Sequence, residues 1–105
     1  MKGLKVLIVD DEPLMRLSML DALEGIGCEV MAAATGTEGL TILGTRQFDI
    51  VITDLRLPGA DGLTILRAWK ERSPTTEVIL MTAHGSVDTA VGAIKLGAYD
   101  YITKP

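Results

Sequence analysis

Asp49-Ile50-Val51-Ile52-Thr53-Asp54-Leu55-Arg56-Leu57-Pro58-Gly59-Ala60-Asp61-Gly62 decides how the rest of the chain is read. Ile50 to Thr53 is a β-branched apolar run, too short for a helix and apolar enough for a strand buried on both faces. It ends on the carboxylate of Asp54, and Pro58, Gly59, Asp61 and Gly62 follow as turn chemistry. A carboxylate therefore stands where a buried strand gives way to a loop. In open α/β sheets ligands bind outside the carboxyl ends of the strands. Taken alone, Asp54 reads equally well as the residue that starts the turn.

Upstream, Lys5-Val6-Leu7-Ile8-Val9 is another continuous apolar run, read as a central parallel strand ending on Asp10-Asp11. Pro13 fits the first turn of a helix, and Asp11 and Glu12 suit its positive end. Met15, Met19, Leu23 and Ile26 recur near the helical period and carry that helix to about Ile26, where Gly25 and Gly27 stop it. Glu29 to Ala33 reads as a weaker strand. Thr35 with Glu38 is a capping box for a second helix that buries Leu40 and Leu43.

Downstream, Asp61 caps a third helix whose Leu63, Leu66 and Trp69 face inward and which Ser73-Pro74 closes. Glu77 to Met81 is a fourth strand ending on Thr82. Gly85-Ser86 opens a fourth helix with Val87, Val91 and Ile94 as its inner face, ended by Gly97. Tyr99 to Thr103 is a short fifth strand ending on Lys104-Pro105.

Strands and helices alternate throughout, with no internal repeat, linker or low-complexity tract. Short right-handed crossovers then dictate a parallel sheet with helices on both faces. Five strands in this length favour a flavodoxin-like, doubly wound α/β fold of order 2-1-3-4-5, one domain over residues 1–105.

Composition agrees with a single core. Apolar residues make up 48% of the 105, and the mean hydropathy is +0.32, values of a folded domain. Ten basic against fourteen acidic residues give a net charge of −4, which argues against direct nucleic-acid binding by this domain. No apolar run reaches the length of a membrane span, and the N-terminus lacks the pattern of a signal peptide. Cys28 is the one cysteine, which excludes an internal disulfide and fits a reducing cytoplasm. A zinc site needs more than Cys28 and His84.

The strand ends carry the chemistry. Asp10-Asp11, Asp54, Thr82 and Lys104 end strands one, three, four and five, all on one edge of a parallel sheet. In order 2-1-3-4-5, strands one and three are neighbours, so Asp10, Asp11 and Asp54 converge. Carboxylates at close range repel unless a cation compensates. Mg²⁺ takes oxygen ligands and binds through one or two carboxylates plus a phosphate. Lys104 supplies a positive charge for an anion and Thr82 a hydroxyl donor. Together they suit a phosphoryl group on an acidic nucleophile. Singly, each has a plainer reading: Asp10-Asp11 as helix capping, Thr82 as β-propensity, Lys104 as a solvated charge.

Val9-Asp10-Asp11-Glu12, Asp54 in Thr-Asp-Leu-Arg-Leu-Pro-Gly-Ala-Asp-Gly, Thr82-Ala83 and Lys104-Pro105 resemble the signature of bacterial two-component response-regulator receiver domains over the whole chain. Thr82-Ala83-His84-Gly85-Ser86 and Gly97-Ala98-Tyr99-Asp100-Tyr101 resemble more narrowly the NtrC type, whose receivers precede an ATPase module and a DNA-binding domain. The resemblance implies that Asp54 accepts a phosphoryl group from a sensor histidine kinase and thereby switches an attached output domain. It implies Mg²⁺ bound by Asp11 and Asp54, by the Arg56 backbone carbonyl, and by Asp10 through water. Lys104, Thr82 and the Ala83 backbone N–H would contact the phosphoryl oxygens, and Ala83 leaves room beside them. The domain would promote its own phosphorylation and dephosphorylation without being an enzyme in the ordinary sense.

By the same resemblance Tyr101 is the switch aromatic that turns inward as Thr82 moves; without it, Tyr101 is a half-exposed strand tyrosine. Arg56 and His84 fall at positions that tune dephosphorylation, and His84 reads equally as a solvated loop residue. The peptide before Pro105 is expected to be cis.

A receiver normally has a fifth helix after Lys-Pro, and this chain stops there. The uncovered area is expected over strands four and five beside the first helix, from Ile79, Met81, Tyr99 or Ile102. Self-association or reduced stability would follow, in place of the family's homodimer through the fourth helix, fifth strand and fifth helix.

Three rivals are weaker. A haloacid-dehalogenase-like phosphohydrolase needs a second Asp two residues after the first, where Arg56 stands. A flavodoxin-type binding module needs a Gly-rich phosphate loop after strand one, where Asp10-Asp11 stands. A degenerate receiver would lack part of the set Asp10, Asp11, Asp54, Thr82 and Lys104.

Overall fold

Five strands and four helices alternate: β1 (Lys5–Val9), α1 (Pro13–Gly25), β2 (Glu29–Ala33), α2 (Gly36–Leu43), β3 (Ile50–Asp54), α3 (Gly62–Arg72), β4 (Glu77–Thr82), α4 (Val87–Lys95) and β5 (Asp100–Thr103). The computed structural model describes residues 3–83 and 87–104, with Val87 by its backbone alone. The sheet order is β2-β1-β3-β4-β5 and every pairing is parallel, as the alternation predicted. The expected fourth-helix start at Gly85-Ser86, His84 and the peptide at Pro105 lie outside the described residues.

Register divides the side chains between two faces. Val9 pairs with Thr53, Thr53 with Leu80, and Leu80 with Tyr101. These face α2, α3 and α4 in the larger core, with Leu7, Val51, Val78, Ile65, Leu66, Trp69 and Ala93. The other face, with Val6, Ile8, Val30, Ile50 and Ile52, packs against Met19 and Leu23 of α1. One helix thus covers one face and three cover the other. None of the α1 residues is fully buried, whereas α3 buries Gly62, Ile65, Leu66 and Trp69.

The helix starts follow their local chemistry. The Thr35 hydroxyl accepts from the Glu38 N–H at 3.1 Å, and an Asp61 carboxylate oxygen accepts from the Thr64 N–H at 2.9 Å. In α3, Ile65 joins Leu66 and Trp69 on the fully buried face, while Leu63 is only partly covered. α1 ends at Gly25, and Ile26 is its exposed cap rather than part of its inner face.

Helix α4 corrects the expectation. Val91 and Ile94 are exposed, at 46% and 50%, and Ala93 is the fully buried residue. Two stripes share the helical period here. The small-residue stripe seats the helix close on the sheet, and the bulky stripe is left outside. The anticipated uncovered area is also only partly as drawn: Tyr99 and Ile102 are exposed, Ile79 is half-buried, and Met81 is buried.

Candidate functional site

The parallel sheet brings its carboxyl ends to one edge, and the polar residues there meet. Val9 is hydrogen-bonded in register with Thr53, so Asp10 and Asp54 stand side by side. Lys104 follows β5 and is tied back to β4, its N–H donating to the Thr82 carbonyl at 2.7 Å. Its ammonium Nζ reaches across to Glu12 Oε1 at 2.7 Å, Asp54 Oδ2 at 2.9 Å and Asp10 Oδ2 at 2.9 Å. The Lys104, Asp10 and Asp54 side chains are 5%, 0% and 10% exposed, that of Glu12 62%. Burial alone would lower the lysine pKa. The hydrogen bonds to Glu12 and Asp54 and the nearby charge of Asp10 outweigh it and push the ammonium well above its ordinary value.

Asp10 is held from both sides. Its Oδ1 accepts from the Glu12 N–H at 2.9 Å, an Asp turn closing on the backbone two residues later. Its carbonyl accepts from Arg16 NH1 at 2.8 Å, so the first turn of α1 is drawn back onto the end of β1. Among the described residues, Asp10 Oδ2 is buried with no aligned hydrogen bond and is met by its ion pair with Lys104. One oxygen each from Asp10, Glu12 and Asp54 lies within 4.8 Å of the others. Hard carboxylate oxygens at that spacing, one lacking a donor, fit a hard divalent cation.

Of the residues named from sequence, Asp10, Asp54 and Lys104 are in direct contact. Thr82 is buried at the end of β4, one residue beyond the Met81 that pairs with Asp54. Asp11, Arg56 and Ala83 lie on the same edge with exposed side chains, and Asp11 is outside the oxygen cluster. Tyr101 packs against the larger core, and its hydroxyl is buried with no partner among the described residues.

Two contributors were missed. From sequence, Glu12 has no role beyond favourable charge at a helix start and its place in the motif, and Arg16 has none at the site. The signal was present in Asp10-Asp11-Glu12: an Asp turn folds the residue two positions on back toward the Asp. Behind Asp54, the Gly62 N–H donates to the Leu55 carbonyl at 2.8 Å. A Cβ on Gly62 would lie 2.5 Å from the Asp54 carbonyl oxygen. Gly36 donates to the Pro58 carbonyl at 3.0 Å. A Cβ there would collide with the Ala60 carbonyl, so the start of α2 sits directly against the loop after Asp54.

The chain is 43% identical over 98 residues to the DNA-binding transcriptional regulator NtrC of Klebsiella pneumoniae, covering 93% of this chain and 21% of that protein. It is 41% identical over 101 residues to the response regulator protein PilR of Pseudomonas aeruginosa, covering 96% and 23%. The chain thus spans about a fifth of the length of these curated relatives. A CheY-like receiver domain protein from Methanospirillum hungatei superposes with a TM-score of 0.93 at 33% identity, over 99% of this chain and 83% of that one. A response regulator from Burkholderia pseudomallei, with a phosphorylated aspartic acid, calcium ion and citrate, superposes with a TM-score of 0.91 at 29% identity, over 98% and 61%. Residues 6–105 match the response regulator receiver domain family. With that match joined to the sheet order and the carboxylate-lined edge, this chain belongs to the receiver domains of response regulators.

Proposed function

We propose that Asp54 accepts a phosphoryl group from the phosphohistidine of a sensor histidine kinase, and that the resulting aspartyl phosphate switches an attached output domain. The observation that carries this is Asp54 at the end of β3 with Lys104 Nζ at 2.9 Å, in a pocket where Asp10 is fully buried. A carboxylate so placed is oriented and next to a fixed positive charge. Lys104 then contacts the phosphoryl oxygens, and Thr82 with the Ala83 N–H completes the cradle.

Mg²⁺ is the cation proposed, held by Asp11 and Asp54, by the Arg56 carbonyl, and by Asp10 through water. The oxygen cluster and the unsatisfied Asp10 Oδ2 support a divalent ion at this edge. Bound there, the ion would offset carboxylate and phosphoryl charge. The chain's own residues promote both gain and loss of the phosphoryl group. Thr82 and Tyr101 relay its presence to α4 and β5. Likeness to NtrC, a DNA-binding transcriptional regulator, supports an output domain that binds DNA. An ATPase module, action in the cytoplasm and a homodimer are proposed on the resemblance of the sequence motifs alone. No helix among the described residues is long and apolar enough to cross a membrane.

Intact-mass spectrometry after incubation with acetyl phosphate and Mg²⁺ tests the assignment. One phosphoryl group is expected on the wild type and none on Asp54→Asn. Undiminished labelling of the variant would put the acceptor elsewhere. Calorimetry is the readout for Mg²⁺, with weaker binding expected in Asp11→Ala. Trp69 packs edge-on against Phe48, before the start of β3 and away from Asp54, so its fluorescence is a poor reporter.

A further inference from the structure

We propose that the Glu12 carboxylate is a displaceable latch on Lys104, holding one N–H of the ammonium until a phosphoryl oxygen on Asp54 takes it over. The inference rests on the reading of Asp54 as phosphoacceptor and Lys104 as its phosphoryl contact.

A lysine ammonium has three N–H donors and no acceptor. Three carboxylates surround this one, at 2.7, 2.9 and 2.9 Å. Two N–H groups are hydrogen-bonded to Glu12 and Asp54, and Asp10 crowds the third side as a counter-charge at 2.9 Å, so a phosphoryl oxygen gains a well-aligned N–H most directly where one carboxylate yields. The three are not equivalent. Asp10 is fully buried, and withdrawing its partner would leave a buried charge unpaired. Asp54 is the residue that carries the phosphoryl group. The Glu12 side chain is 62% exposed, and water receives it at little cost.

Its backbone need not move. The Glu12 N–H donates to Asp10 Oδ1, and its carbonyl accepts from the Arg16 N–H at 3.0 Å, so the side chain swings on a fixed base. The driving force is repulsion: Glu12 already lies within 4.8 Å of the Asp10 and Asp54 oxygens, and the phosphoryl group adds further negative charge. In transfer from acetyl phosphate, a bond forms between an Asp54 carboxylate oxygen and phosphorus. The bond from phosphorus to the acetyl oxygen breaks, and acetate leaves with the electron pair. Lys104 keeps its proton and Glu12 gains none; Glu12 is a positioning residue.

The test is beryllofluoride affinity at saturating Mg²⁺ for wild type, Glu12→Gln and Glu12→Ala. Both variants should bind about two- to fivefold more tightly, the span of exposed ion pairs. The advantage should shrink toward none as salt rises from about 0.05 M to about 0.5 M, because screening releases the wild-type latch. A merely structural role for Glu12 would not move with salt. Equal or weaker affinity in both variants, or an advantage indifferent to salt, overturns the latch. Mass spectrometry with acetyl phosphate, run alongside, separates the two ideas. Labelling confined to Asp54 with no tightening in the variants sinks the latch alone. Labelling of Asp54→Asn, or none of the wild type, removes the acceptor reading and the latch with it.

Discussion

Lys104 is the residue on which the site's electrostatics turn, because one ammonium faces Asp10, Glu12 and Asp54. Lys104→Met should destabilise the fold by roughly 3 kcal/mol in metal-free buffer, since it strands the buried Asp10 charge. Added Mg²⁺ should recover part of that loss by binding the folded state. Urea unfolding with and without Mg²⁺ reads both effects; a loss untouched by the metal would contradict this account. The pH dependence has a definite sign. The folded-state pKa of Lys104 is raised, so its stabilisation is complete below the unfolded value of about 10.4 and is lost only as pH climbs toward the raised one. The stability difference between wild type and Lys104→Met attributable to lysine ionisation should therefore be level from neutrality to about pH 10. Asp10, Asp54 and Lys104 were legible as partners because each directly ends or follows a strand. Glu12 was not, because its part depends on a turn that folds the chain back over Asp10.

Among the elements, α3 and α4 make opposite demands on their glycines. Gly62 opens α3 where a Cβ would press 2.5 Å from the Asp54 carbonyl and 2.8 Å from Leu55 Cα. Gly62→Ala should cost about 1–3 kcal/mol by overpacking and slow phosphorylation by shifting Asp54. Gly92 lies inside α4 with nothing within 4 Å of a Cβ. Gly92→Ala should stabilise by about 0.5–1 kcal/mol through helix propensity. Thermal unfolding of the two variants should move in opposite directions, and a shared direction would refute the argument. The same features predict that α4 is the low-stability element. Hydrogen exchange with and without beryllofluoride and Mg²⁺ should change most between residues 86 and 101; a change confined to Asp10 and Asp54 would count against it. Strand limits could be read closely from apolar runs, since β1 and β2 begin and end where predicted. The facing of α4 could not. Val91/Ile94 and Ala90/Ala93 satisfy the same period, and only the sheet beneath decides between bulk and close approach.

For the molecule as a whole, the imbalance of one helix against three was implied by the strand order. The exposed apolar side chains are consistent with it. Leu14 and Leu17 of α1 are 80% and 54% exposed, and Ile102 of β5, on the α1 side of the sheet, is 44% exposed. Apolar surface of this kind on a monomer usually marks an interaction site or a liability. The 105-residue chain should therefore self-associate, or melt lower than the same chain extended by one helix. Sedimentation velocity and thermal unfolding of the two side by side decide it. A monomer with an equal melting temperature would mean that the α1 face needs no further cover. Which apolar residues lie open was less legible than the imbalance itself. Tyr99 and Ile102 are exposed while Met81 is buried, because β4 is an interior strand and β5 an edge.

The abutment of α2 on the loop after Asp54 gives the site an uneven compliance. On that flank, Gly36 and Gly59 close the gap so tightly that a side chain on either would strike Ala60 or Thr37. Gly62 does the same behind the acceptor itself. That flank is a wall with no slack. On the opposite flank Gly92 has open space around it and Val91 and Ile94 point into solvent. A push delivered at Asp54 should meet less resistance toward β5 and α4 than toward α2. Such an arrangement would rectify strain as a ratchet wheel rectifies motion, stiffness on one side turning a small local change into a directed one.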